Sequence, residues 1–202
     1  MNNLLENALR RLLKNSELAG CLASVLERAS KRGNISYQEV DRIVNDKAED
    51  VLLLGSEWRL LLPVRTVKSA AWEDRLLLCK PGESYEVPNI VRYIVENAGK
   101  TGCWNPADAI NKLFKEMCEP AWERMPKLIE RLREKAKCYR ISAAQIRKAC
   151  VELGLANRVD MLIAELKGSG VMSPKLGSFA EVNREGSPLY ELNPSLYINW
   201  RL

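Results

Sequence analysis

Apolar positions along this chain fall into short stripes separated by polar turns. The segment LLENALRRLLKN sets Leu5, Leu9, Leu12 and Leu13 on one helical face and charges on the other, which predicts a short helix that must dock on a larger body. A second helix is expected after Ser16, burying Leu18, Cys21, Leu22, Val25, Leu26 and Ala29 and stopping at Gly33 behind Lys31 and Arg32, the usual C-terminal signals. Ser36 and Glu39 then stand three residues apart, the spacing at which side chains satisfy two orphan amides reciprocally in a capping box. Val40, Ile43 and Val44 continue that stripe, and Ala48, Val51, Leu52 and Trp58 line a third helix. Leu60 to Val67 and Arg75 to Cys79 then read as the strands of a hairpin around Ala70 to Asp74.

The same signals return from Ile141 to Tyr197. ISYQEVDRIV laid over ISAAQIRKAC, at an offset of 106 residues, matches Ile35 with Ile141, Ser36 with Ser142, Glu39 with Gln145 and Val40 with Ile146. Ser142 therefore caps a helix from Ala143 that buries Ile146, Ala149, Cys150 and Leu153 and ends at Gly154. Asn157 is placed to cap the next helix, with Val159, Leu162, Ile163 and Leu166 inward and Lys167 and Gly168 at its end. Val171 to Pro174 and Leu189 to Leu192 are strand-like and bracket a loop holding Gly177 and Gly186, with the prolines suited to strand ends or an edge.

Between the repeats, Lys80 to Ser84 form the best candidate boundary. Beyond it, Pro88 suits a first helical position and Ile90, Val91, Ile94, Val95 and Ala98 form a stripe ending at Gly99. Asn105 and Pro106 start a further helix with Leu113, Phe114 and Met117 inward. These two helices either connect the repeats or extend the second one. Trp122, Met125, Ile129, Leu132, Ala136 and Tyr139 then recur at alternating spacings of 3 and 4, a helix that kinks or begins at Pro126.

Two helices followed by a hairpin, at Ile141 to Tyr197 and less completely at residues 16 to 81, resemble the winged helix-turn-helix superfamily. The resemblance implies a mainly α fold with small β-hairpins, built as tandem winged-helix units joined by a helical segment. The expected organisation is a docking helix over 1–15, a first unit over 16–81, connecting helices over 82–119 and a second unit over 120–202. Such units serve both as DNA readers and as protein-docking modules.

Charge sharpens that choice. The net charge is +5, and between Ala121 and Lys148 nine basic residues face three acids, so this segment carries +6 and the rest of the chain −1. Arg124, Lys127, Arg131 and Lys135 recur at helical spacing, a basic face suited to a phosphate backbone. The plainer alternative is a solvated face laced by pairs such as Glu123 with Lys127. In a DNA reader of this superfamily the helix from Asn157 to Lys167 would enter the major groove, its outward positions being Asn157, Arg158, Asp160, Met161, Ala164 and Glu165. Asn157 and Arg158 suit adenine and guanine edges, whereas Asp160 and Glu165 repel phosphates. The candidate DNA-contacting set is therefore Arg131, Lys135, Arg147, Lys148, Asn157, Arg158, Lys167, and Lys175 and Arg184 of the wing. Acids around Asp41, Asp46, Glu49 and Asp50 suggest a protein-facing role for the first unit.

Other chemistry finds little footing. The chain has no histidine, the commonest general base, and lacks phosphate-loop, dinucleotide and nucleophile-elbow motifs; neither catalysis nor a cofactor is expected. Six cysteines without a CxxC pair argue against zinc and read as reduced thiols of a cytoplasmic protein, and no apolar run reaches the roughly 18 residues of a membrane span. Duplex DNA is the leading partner, a protein partner the alternative, RNA a third; Leu5, Leu9 and Leu12 offer a route to a homodimer.

Overall fold

In the computed structural model, which describes residues 3–64, 71–175 and 186–197, the chain begins with α1 (Asn3–Leu12) and α2 (Ala19–Arg32). Gly33, at φ +84°, caps α2 in the left-handed conformation and turns the chain into β1 (Asn34–Ser36). The Ser36 capping box then forms as its spacing requires: the Glu39 amide donates to Ser36 Oγ at 3.3 Å and the Ser36 amide to Glu39 Oε2 at 3.2 Å. It starts α3 (Tyr37–Val44), followed by α4 (Ala48–Glu57), β2 (Leu62–Pro63) and β3 (Ser84–Glu86). Next come α5 (Asn89–Thr101) and α6 (Pro106–Glu116), the latter opened by the Asn105 side chain.

The second repeat runs α7 (Met125–Lys135), β4 (Arg140–Ser142), α8 (Ala143–Glu152), α9 (Val159–Gly168), β5 (Met172–Pro174) and β6 (Leu189–Leu192). Its capping box has the Gln145 amide 3.2 Å from Ser142 Oγ and the Ser142 amide 2.9 Å from Gln145 Oε1. The molecule is thus mainly α, with two small antiparallel sheets of strand order β1-β3-β2 and β4-β6-β5. Their registers correspond. Tyr85 of the first central strand lies opposite Ile35 and Pro63, and Tyr190 of the second opposite Ile141 and Pro174.

Two expectations are corrected. The partner of β2 is Ser84–Glu86, not Arg75–Cys79, so the proposed boundary at residues 80–84 leads directly into a strand, and the first repeat extends past residue 81. Tyr85 decides this: its ring is 1% exposed and its hydroxyl donates to the Leu78 carbonyl, while Arg75 is turned back onto Glu86 and the Pro63 carbonyl. Nor does the helix before the second repeat reach Tyr139. It begins at Met125 with Pro126 in its first turn, the second of the two expected alternatives, but ends at Lys135, because Ala136 is extended and Cys138 and Tyr139 adopt φ of 48° and 63°.

The buried apolar side chains of α1, both repeats, α5 and α6 form one continuous cluster. Leu5, Leu9 and Leu12 are at most 1% exposed within it, so the route to a homodimer through these leucines is closed. The second sheet is docked on the first repeat. Ser173 Oγ accepts from the buried Trp72 amide at 2.9 Å, Arg59 Nε donates to Glu191 Oε1 at 2.9 Å, and Asn193 Nδ2 donates to the Arg59 carbonyl at 3.2 Å. The Ile90 amide, at the start of α5, reaches the Ser169 carbonyl at 2.9 Å. Among the described residues no helix is long and apolar enough to cross a membrane.

Candidate nucleic-acid interface

The outer surface of α8 and α9 follows from their inward stripes. Ile146, Ala149 and Cys150 bury one side of α8, and Val159, Leu162 and Leu166 one side of α9. Arg147, Lys148 and Val151 are consequently exposed on α8, and Asp160, Met161, Ala164 and Lys167 on α9. Arg147, Lys148 and Lys167 form no ion pair with a described residue. Asn157 is exposed too, in a 3-10 turn over Ala156–Arg158; α9 begins at Val159 with no side-chain cap, so the expected capping role of Asn157 is not found.

The remaining candidates are held elsewhere. Arg131 pairs with Glu134 at 2.6 Å and Lys135 with Glu152 at 2.9 Å, while Lys127 meets Glu130 at 2.7 Å. The basic side of α7 is therefore neutralised by carboxylates, Glu130 and Glu134 of α7 itself and Glu152 of α8, as in the solvated-face alternative. Lys175 crosses from β5 to Glu73 of the first repeat; it joins the two halves and is not an open wing cation. Arg184 lies outside the described residues.

Arg158 departs furthest from its expected role. Its Nη2 donates to Glu119 Oε2 at 2.7 Å, so it neutralises an interior carboxylate and does not face outward toward a base. Glu119 is 1% exposed and also accepts from the Ala121 amide at 2.8 Å. Glu165, expected outward, points to the same place. Its Oε2 is buried without a hydrogen-bond donor, and burial, then the adjoining Glu119, raise its pKa to about 7 against the opposing pull of Arg158. Burial alone would raise Glu119 as well, but the Ala121 amide, the Glu165 carboxyl and Arg158 together bring it below the ordinary carboxylate value. One proton between Glu119 and Glu165 satisfies both acceptors. Sequence spacing carries no sign of this cluster, since Glu119 is 39 residues from Arg158.

The equivalent surface of the first repeat has the opposite sign. Asp41, Asp46, Glu49, Asp50 and Glu57 are exposed on and around α3 and α4, against Arg42 and Lys47. Leu53 stands among them, 56% exposed.

Residues 6–200 match the model of a protein family of unknown function. No curated protein and no solved structure matches the chain.

Proposed function

The chain belongs to that family, and we propose that it is a non-catalytic, cytoplasmic DNA-binding protein of tandem winged-helix units, acting in transcription or another DNA transaction. The second unit meets duplex DNA through α8 and α9. The first is a scaffold whose acidic surface is turned to other work. The observation that carries this reading is the contrast between two equivalent surfaces: Arg147, Lys148 and Lys167 stand exposed and without an ion pair to any described residue on the second, where the first presents five exposed acids. Lysines and arginines in that position neutralise phosphates and release counterions, and Asn157 at the head of α9 suits a base edge. Because Lys175 and Arg158 are engaged internally, few base-reading groups remain, and phosphate attraction supplies most of the affinity.

Titration of a fluorescent duplex at several salt concentrations tests the proposal. Affinity is expected to fall steeply with salt, and the combined variant R147Q/K148Q/K167Q to flatten the log–log slope by about 2 to 3, roughly 0.9 for each phosphate no longer neutralised. A duplex that fails to bind at low salt, or binds the triple variant equally well, defeats it.

A second reading, a protein-docking module, is favoured by Val151 and Met161, which are 57% and 54% exposed on the outer sides of α8 and α9. Exposed apolar side chains of that size suit a protein partner better than a phosphate backbone. Co-purification of a defined complex disrupted by V151D, with no duplex binding, would establish it.

A further inference from the structure

A cleft of about 310 Å³ opens where the two repeats meet. It is lined by Trp72 and Arg75 of the first repeat, by Lys167 and Met172 of the second, and by Pro88 and Asn89 at the start of α5. Its volume falls at the low end of the roughly 300–1,000 Å³ typical of small-molecule sites.

The polar groups of the cleft are incompletely used. The Arg75 side chain is 6% exposed. Its Nη1 serves both the Glu86 carboxylate at 2.5 Å and the Pro63 carbonyl at 3.1 Å, but its Nε is buried without an acceptor. A buried donor left unpaired is costly. Glu86 already balances the guanidinium charge, so Lys167 leaves the cleft with a net positive charge. The start of α5, a helix of 13 residues, adds the positive end of its dipole at Asn89. Trp72, Met172 and Pro88 supply apolar surface beside these groups.

We infer that this cleft binds a small organic anion: a carboxylate or phosphate monoester carried on a flat apolar body, the charge between Lys167, Arg75 and the head of α5, and the body against Trp72 and Met172. Such an occupant touches both repeats and the last turn of α9 at once. Its binding therefore bears on how the repeats are held together, whatever α8 and α9 contact.

The test is an amide-resolved NMR titration of the full chain with phenyl phosphate, flanked by inorganic phosphate and phenol as its two halves. Phenyl phosphate is expected to shift the amides of Asn89, Lys167 and Gly170 and the Trp72 indole saturably, about tenfold more tightly than either half. Two variants keep the fold intact. Lys167 is exposed, so K167E reverses a charge without disturbing the interior. Gly168 lines the cleft, has no left-handed φ, and a Cβ added there meets nothing within 4 Å, so G168F adds bulk at the cleft wall without a clash at the Cβ. Both should abolish the saturable shifts. Absence of those shifts in the natural protein, equal binding of inorganic phosphate, or undiminished binding by G168F would overturn the assignment.

Discussion

Gly170 lies back to back with Pro88. A Cβ placed on the glycine would stand 2.5 Å from the proline Cβ, and the glycine φ is +77°. Here the turn after α9 presses on the entry to α5, beside the bond from the Ile90 amide to Ser169. Ala at position 170 must bear both the left-handed backbone, about 1–2 kcal/mol, and overpacking against a rigid ring, about 1–3 kcal/mol. G170A is therefore expected to lose about 3 kcal/mol in urea unfolding. Gly82 provides the control, since its φ is +94° but nothing lies within 4 Å of an added Cβ. G82A should lose only the backbone cost, about 1 kcal/mol. Equal losses in the two variants would mean that the contact with Pro88 contributes nothing.

Lys175 and Glu73 separate stability from binding. Their side chains are 15% and 25% exposed, so the pair is screened less than one at the open surface. A double-mutant cycle with K175A and E73A should return a coupling of about 1 kcal/mol. DNA affinity should change less than about twofold in K175A, because the lysine belongs to the joint between repeats. R147Q/K148Q should behave in the reverse way, with stability within about 0.5 kcal/mol of the natural protein and reduced affinity. A K175A that stays fully stable but loses DNA would restore the lysine to the interface.

Glu165 sets the pH dependence. Its folded pKa of about 7 lies above the ordinary 4.5, so the folded state holds a proton that the unfolded chain releases. The stabilisation is complete below about pH 4.5 and lost as pH rises through about 7; the full shift corresponds to roughly 3 kcal/mol, which solvent screening of this partly exposed group reduces to about 2 kcal/mol. Glu119 and Arg158 are the charged groups facing it. In E165Q the amide replaces the protonated carboxyl and donates to Glu119, which removes the dependence. Urea unfolding between about pH 5 and about pH 8 should show the natural protein losing stability while E165Q stays level, the two nearly equal at the acid end. Parallel curves would exclude the shared proton.

Local rules made much of the fold legible. Ser36 with Glu39 and Ser142 with Gln145 announce their helices over three residues, and both boxes form. Leu189–Leu192 is a strand where its pattern placed one. The third strand of the first repeat was not legible because Ser84–Glu86 offers one apolar residue, Tyr85, against the three leucines of Arg75–Cys79. Pairing with Ile35, 50 residues away in the chain, decides the matter. The candidate site fared unevenly for the same reason. Exposure of Arg147, Lys148 and Lys167 follows from helical periodicity, but the partners of Arg158 and Lys175 lie 39 and 102 residues distant, where no periodicity reaches. The 3-4 spacing likewise continues through Tyr139 after the helix has stopped, since spacing does not register a left-handed turn.

A chain that carries one pattern twice ordinarily keeps a spare, free to drift while the other copy holds the line. Here the copies share a single interior, and that freedom is gone. A substitution beneath either repeat is felt by its twin, so the two must change in concert, and neither can be lifted out to serve in another protein without taking its neighbour along.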